Sequence, residues 1–225
     1  MPENLYPRKL YRMKNNNLEI EMRFDGVDTD EFRKTLKSVG AKMTNKKRIM
    51  PITTFYHPRK KKDIYIRVRD EGKQITMTVK TNLRDKYPIE REVEINSSEE
   101  GIAILTMLGC KKKYHIEKMR ETWNISGCKE IVIDSYPGLP EYIEIDCHTE
   151  NSLFCAADKL GIKIKKDHKN PSVTDMYWNL YGIPKIKPCS EDLTFKNAMD
   201  VLGKLVTKNK SKFTKILKEQ QSYHG

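Results

Sequence analysis

No stretch of this chain stays apolar for anything near the roughly 20 residues that a membrane-spanning helix needs. Its first residues, Met1-Pro2-Glu3-Asn4-Leu5-Tyr6, contain no apolar core of a secretion signal. The five cysteines (Cys110, Cys128, Cys147, Cys155 and Cys189) are odd in number and show no Cys-x-x-Cys spacing. They read as free thiols in a reducing, cytoplasmic setting, and they exclude a paired-cysteine zinc site. The five histidines are scattered, and the adjacent pair Cys147-His148 reads as ordinary packing or surface. No internal repeat recurs at a fixed period. Membrane insertion, secretion, structural zinc and solenoid architecture are therefore set aside.

Charge is what the sequence has in quantity. Of 225 residues, 33% are charged, and lysine and arginine exceed the acids by +12. The mean hydropathy is −0.73 and the pI about 9.3. This balance calls for a polyanionic partner without saying whether it is nucleotide, nucleic acid or membrane. Residues 184–225 hold nine lysines against four acids; the rest of the excess lies on 1–183, where acids and bases fall on different predicted strands.

Residues 18–24 alternate strictly, with Glu19, Glu21 and Arg23 on one face and Ile20, Met22 and Phe24 on the other, a period-two strand. Asp28 and Glu31 form a capping-box-like pair opening a helix that ends at Gly40. Strands are predicted at 53–56, 63–69, 74–80, 89–95, 114–124, 130–134 and 142–147. Ser97-x-x-Glu100 opens a second helix that stops at Gly109; Asn151 or Ser152 caps a third, to Leu160, and a short helix covers 174–181. After Pro184 and Pro188 the pattern predicts one final amphipathic helix over 191–219, with Phe195, Met199, Leu202 and Val206 as its apolar stripe. Many short antiparallel strands with inserted helices predict an α+β fold, a closed or nearly closed β-barrel with helices packed outside.

Alternating charge usually marks the wet face of an antiparallel sheet. Here acids and bases are sorted by strand. Glu19/Glu21, Glu90/Glu92/Glu94 and Glu144/Asp146 are acidic; Arg67/Arg69, Lys80 and Lys118/Arg120 are basic. The opposite faces carry Ile20, Met22, Ile66, Val68, Met77, Val79, Val93, Ile131, Ile133, Ile143 and Ile145, which should be buried beneath helices. The charged faces then turn together onto a shared lumen. Such a lumen is costly unless ligand and ions fill it. Carboxylates suit hard cations such as Mg²⁺ or Mn²⁺; Arg and Lys suit phosphate oxygens. An acidic wall facing a basic wall specifies a metal-bound polyphosphate.

With these residues assembled, the chain resembles the CYTH family, also called triphosphate tunnel metalloenzymes, which includes class IV adenylyl cyclases and thiamine triphosphatases. The Glu-x-Glu-x-Lys signature is similar to Glu19-Ile20-Glu21-Met22-Arg23, and the Arg-x-Arg strand to Arg67-Val68-Arg69. Thr78-Val79-Lys80, Glu92-Val93-Glu94 and Lys118-Met119-Arg120 follow in the family's order. The most specific stretch runs Asp134-Ser135-Tyr136-Pro137-Gly138-Leu139-Pro140-Glu141-Tyr142-Ile143-Glu144-Ile145-Asp146, and Asp175-x-Tyr177 with Tyr181-Gly182 also fits. Two departures are Arg23 where Lys is usual and Asp146 where Glu is.

The resemblance implies an eight-stranded tunnel over 18–183, between an N-terminal extension (1–17) and a basic helical extension (184–225). It implies that Glu19, Glu21, Glu144 and Asp146 hold catalytic Mg²⁺ or Mn²⁺, with Glu92, Glu94 and Asp134 assisting. Arg23, Arg67, Arg69, Lys80, Lys118 and Arg120 would clamp the phosphates. The expected activity is hydrolysis of an inorganic or organic triphosphate. A class IV cyclase, an RNA 5′-triphosphatase and a non-catalytic polyphosphate- or nucleic-acid-binding module are the rivals. The basic run Arg59–Lys62 and the lysine-rich tail would touch RNA or polyphosphate, although a solvated hairpin tip and a helix packed on the barrel explain them too. Oligomerisation through that helix stays open.

Overall fold

A computed structural model describes residues 18–83, 85–165, 168–186, 188 and 190–223. The 1–17 extension and Cys189 lie outside the described residues. Eight antiparallel strands form one curled sheet: β1 (Ile20–Phe24), β2 (Lys42–Tyr56), β3 (Ile64–Asp70), β4 (Ile75–Thr81), β5 (Ile89–Ile95), β6 (Lys111–Asn124), β7 (Cys128–Ser135) and β8 (Tyr142–Cys147). Their order is β1-β8-β7-β6-β2-β3-β4-β5. The edges β1 and β5 meet at one bridge, Leu18 to Ile89, where the Glu19 amide donates to the Pro88 carbonyl at 2.9 Å. The expected barrel is therefore present but open along most of this seam.

The first four helices each start where a side chain satisfies free amides. Asp28 accepts from the amides of Asp30 and Glu31 at 3.1 Å to begin α1 (Thr29–Ser38), and Ser97 caps α2 (Ser98–Met107). Thr149, two residues before Asn151 and three before Ser152, is the cap of α3 (Glu150–Lys159), in a capping box with Ser152. Ser172 and Asp175 form another box at α4 (Val173–Tyr181).

Three apolar layers coat the outside of the sheet. α1 and α3 cover β1, β8, β7 and the end of β6 through Phe32, Leu36, Leu153, Ile131, Ile133, Ile143 and Ile145. α2 packs on Ile66 and Val68 through Leu105. The third layer joins Ile52 and Ile116 to α4 and the C-terminal segment. Of the predicted apolar face, Val93 is the exception, 53% exposed because edge strand β5 outreaches α2.

Three expectations are corrected. β2 is 15 residues long, and residues 42–52 escaped detection because register shifts at Met43/Asn45 and Asn45/Arg48 break the period-two pattern there. Cys128 and Cys147 face each other across β7 and β8 and are joined by a disulfide, so not all the thiols are free and the thiol case for a reducing compartment loses its basis. Cys110 and Cys155 are free.

The single helix expected over 191–219 is broken into α5 (Ala198–Leu202), a 3₁₀ turn (Gly203–Leu205) and α6 (Lys210–Gln221). The break caps α4: the amides of Thr207 and Lys208 donate to the Tyr181 carbonyl at 2.9 and 3.0 Å, and the Asn209 side chain donates to the Leu180 carbonyl. Upstream, Leu193 bridges Ile116 on the part of β6 that extends beyond β7. Leu202, Val206, Phe213 and Leu217 are buried in the third layer and Phe195 is buried too, whereas Met199 is exposed. Among the described residues, no helix is long and apolar enough to cross a membrane.

Candidate functional site

The concave face of the sheet encloses a cavity of about 390 Å³. Directly paired residues of neighbouring strands share a face, so register places the charges. Glu21 pairs with Asp146 and Asp146 with Glu130, a row of three carboxylates across β1, β8 and β7; Arg23 pairs with Glu144 in the next row. On β6, Arg120 pairs with Asp134. Around the ring, β5, β1, β8 and β7 form an arc whose cavity-lining charges are acidic apart from Arg23 and Lys129, and β6, β2, β3 and β4 an arc whose cavity-lining charges are basic apart from Glu71 beyond β3.

Glu19, Glu21, Arg23, Arg67, Arg69, Lys80, Glu92, Lys118, Arg120, Glu144 and Asp146 all line the cavity. Two expected members do not. Asp134 lies fully buried behind the wall, and Glu94 is exposed at the far end of β5. Lining residues absent from the sequence-based set are Tyr65, Glu71, Gln74, Glu90, Lys129, Glu130, Val132 and Tyr136. Glu130 stood in period with Asp134, but Val132 between them masked the pattern. Glu71 stood in period with Arg67 and Arg69, and Gln74 with Thr78 and Lys80, but both sit in the turn between β3 and β4.

The two arcs interlock through charge-assisted hydrogen bonds. Arg120 grips Asp134 with two arms, Nε at 2.8 Å and Nη2 at 2.7 Å, and reaches Glu130 at 3.0 Å and Glu144 at 3.2 Å. Lys118 donates to the same Asp134 at 2.6 Å. Arg67 donates to Thr78 at 3.1 Å and to Glu90 and Glu92 at 3.3 and 3.4 Å. Lys80 pairs with Glu19. Arg23 gives Nε to Glu144 at 2.6 Å and Nη1 to the Pro171 carbonyl at 2.8 Å, so it is aimed at a carboxylate rather than at open cavity. Arg69 pairs with Glu71 and Glu92 but keeps its buried Nε without a hydrogen-bond partner.

Charge of each sign is nevertheless overcrowded. Burial, then the charges of Glu144 and Glu19, pushes Glu21 up to about 8. Burial, with Glu130 and Glu19 adding to it, raises Asp146 to about 7. Across the cavity, burial and then Arg120 lower Lys118 to about 8, and burial, Arg67 and Arg120 lower Arg69. Glu144 moves the other way: against the effect of burial, Arg23, Lys118 and Arg120 hold it well below the usual carboxylate range. One arc lacks cation and the other lacks anion.

Among the described residues, no three His, Cys, Asp or Glu side chains form a ready chelating group, because the carboxylates have turned to Arg and Lys partners. The donor chemistry still fits a hard dication. Every candidate ligand is a carboxylate oxygen, and although Arg23 lies 3.8 Å from Glu21 and Lys129 3.2 Å from Asp146, burial and neighbouring carboxylates still disfavour the charged forms of both. A titration consequence follows. In the folded protein these two groups hold protons well above the pKa of about 4 expected of an unfolded carboxylate, so the stability they contribute is present at low pH and lost as pH rises through 7 to 8. In chelator, the thermal midpoint should fall between about pH 5 and pH 7.5, and Mn²⁺ should raise it more at the upper end. A midpoint flat over that range, with or without Mn²⁺, would contradict this.

The basic run Arg59–Lys62 is exposed on the β2–β3 turn, and register places it beside a second exposed run, Lys111–Lys113, since Tyr56 pairs with Lys111. Tyr177 is a buried packing residue, and Trp178 is half-exposed beside Lys208.

The CYTH domain family model matches residues 17–169. A protein of Vibrio parahaemolyticus provisionally named an adenylate cyclase superposes with a TM-score of 0.61 at 14% identity, covering 72% of this chain and 98% of that one. A protein of Pyrococcus horikoshii gives 0.54 at 22% identity, covering 64% and 91%. A conserved hypothetical protein of Pyrococcus furiosus gives 0.53 at 20%, with the same coverages. At these identities the likeness is one of fold. Among curated proteins, none matches the chain.

Proposed function

The chain belongs to the CYTH domain family, and on that premise we propose that it is a divalent-metal-dependent triphosphatase acting on an inorganic or organic triphosphate. The observation that carries this reading is the cavity with crowded carboxylates, two of them disfavoured in their charged form, on one arc and crowded, partly unspent cations on the other. A triphosphate with its metal satisfies both at once.

Arg67, Arg69, Lys80, Lys118 and Arg120 bind the non-bridging phosphate oxygens, and the free Nε of Arg69 is a donor already in place. Asp134 holds Lys118 and Arg120 in position from behind. Arg23 orients Glu144. Glu19, Glu21, Glu144 and Asp146 would hold Mg²⁺ or Mn²⁺, which when bound neutralises phosphate charge and lowers the pKa of water. Water attacks the terminal phosphorus, the bond to the leaving diphosphate oxygen breaks, and the fixed cations absorb the charge that develops there. Uncharged lining is confined to Tyr65, Gln74, Val132 and Tyr136, so recognition is dominated by phosphate.

Purified protein incubated with tripolyphosphate, ATP or thiamine triphosphate and Mg²⁺ or Mn²⁺ should release orthophosphate. Cyclic AMP and pyrophosphate from ATP, with no orthophosphate, would replace this reading by cyclisation, the activity in the provisional name of the Vibrio protein. Two exposed basic runs at the same end of the sheet, Arg59–Lys62 after β2 and Lys111–Lys113 at the start of β6, favour a second reading, in which the triphosphate is the 5′ end of an RNA whose backbone follows that basic surface. Release of phosphate from γ-labelled RNA much faster than from tripolyphosphate would select it.

A further inference from the structure

The carbonyls of the turn joining β7 to β8 are held by side chains from beyond the residues that the family model matches, while Glu141 at its end is held by Thr29, Arg33 and Lys47. The Tyr136 and Leu139 carbonyls accept from Nε2 of Gln220 at 3.1 and 3.0 Å. The Pro137 carbonyl accepts from the Tyr177 hydroxyl at 2.7 Å and the Gly138 carbonyl from Tyr181 at 2.6 Å. The Gly138 amide donates to Oε1 of Gln220 at 2.7 Å. Four consecutive carbonyls are thus held, two of them by one buried amide side chain on α6. The fit is close: Gly138 has φ +79°, and a Cβ there would lie 2.3 Å from the Phe213 ring, also on α6.

This turn carries Tyr136 into the cavity wall. Tyr136 lies parallel to Tyr142, ring centroids 6.5 Å apart, and Tyr142 in turn supports the Arg23 guanidinium at 5.5 Å, which holds Glu144. Asp134, which fixes Lys118 and Arg120, is two residues upstream. A displacement of the turn reaches both arcs of the site.

We propose that Gln220 is a positioning residue for the triphosphate site, acting through the 136–139 turn and Tyr136. The C-terminal helix is then part of the site's construction rather than an appendage. This rests on the triphosphate reading above, and the test separates the two.

Binding of tripolyphosphate in chelator, where turnover does not interfere, would be measured by calorimetry for wild type, Gln220→Ala, Tyr136→Ala and the double variant. Each single change should weaken binding about tenfold, and Gln220→Ala should cost less than about twofold once Tyr136 is already alanine, because residues acting through one another are not additive. With Mn²⁺, KM for hydrolysis should rise in the single variants while kcat stays within about twofold. Gln220→Met, which keeps the packing volume, serves if the alanine variant does not fold. Full additivity, or Tyr136→Ala binding as wild type does, overturns the proposal alone. No tripolyphosphate binding by wild type overturns it together with the triphosphate reading.

Discussion

Glu21→Gln should make the metal-free protein more heat-resistant at pH 8 while lowering triphosphate hydrolysis by on the order of 100-fold, comparable to removing one preorganised electrostatic group from an active site. The two effects have one cause. Glu21 is half-buried near Glu144 and Glu19, and its charged form is disfavoured up to about pH 8. Glutamine keeps the shape and removes the charge, so the folded apoprotein loses a repulsion. The same change deletes an anionic ligand for the dication, so activity falls. Thermal melts in chelator at pH 8 and phosphate release with Mn²⁺ check both halves. A variant less stable than wild type at pH 8, or one that retains full activity, would show that Glu21 is a structural carboxylate.

Arg120→Met should be the most destabilising single change in the cavity wall, by about 3–5 kcal/mol, the cost of breaking a buried ion pair from one side. Asp134 is fully buried and accepts two of its hydrogen bonds from Arg120. Without that guanidinium, only Lys118 faces the carboxylate, and Lys118 is itself reluctant to hold a charge there. Glu130 and Glu144 lose a partner as well. Arg120→Lys should lose less, since it preserves the charge but not the two-armed grip. Urea unfolding would show the difference as a shift in midpoint at constant slope. Equal stability of wild type and Arg120→Met would mean that Asp134 is protonated in the folded protein.

The legible part of the site is the part that period two encodes. Glu19/Glu21, Arg67/Arg69, Lys118/Arg120 and Glu144/Asp146 could each be assigned to one face of one strand from spacing alone, because successive side chains on a strand point to opposite faces. Their sorting into acidic and basic strands anticipated a two-sided cavity. Asp134 was legible by type but not by depth. Its neighbours on β6 bury it, and no single-strand pattern reports what the next strand contributes. Glu94 was misplaced for the converse reason: its period is right, but β5 is an edge strand and its far end lies outside the cavity.

Cross-strand register lay beyond reach in the same way. The Glu21–Asp146–Glu130 row and the Cys128–Cys147 disulfide both exist because β8 lies between β1 and β7. The partners are 19 residues apart for the cysteines, and no spacing rule links them. The lengthened β2 was hidden by bulges, and the C-terminal helix was broken to cap α4, which is tertiary hydrogen bonding overriding an amphipathic pattern.

By itself the sequence determined the strand faces, the sorting of acid from base, and the family, since these are local periodicities and ordered motifs. Only the tertiary structure decided that the acidic strands lie together on one arc, that the arcs lock onto each other through Arg120 and Asp134, and that α6 returns to hold the turn beneath Tyr136. Those are contacts between residues as far as 125 positions apart, the separation of Glu21 and Asp146, and their energy comes from burial and pairing that exist only once the sheet has curled.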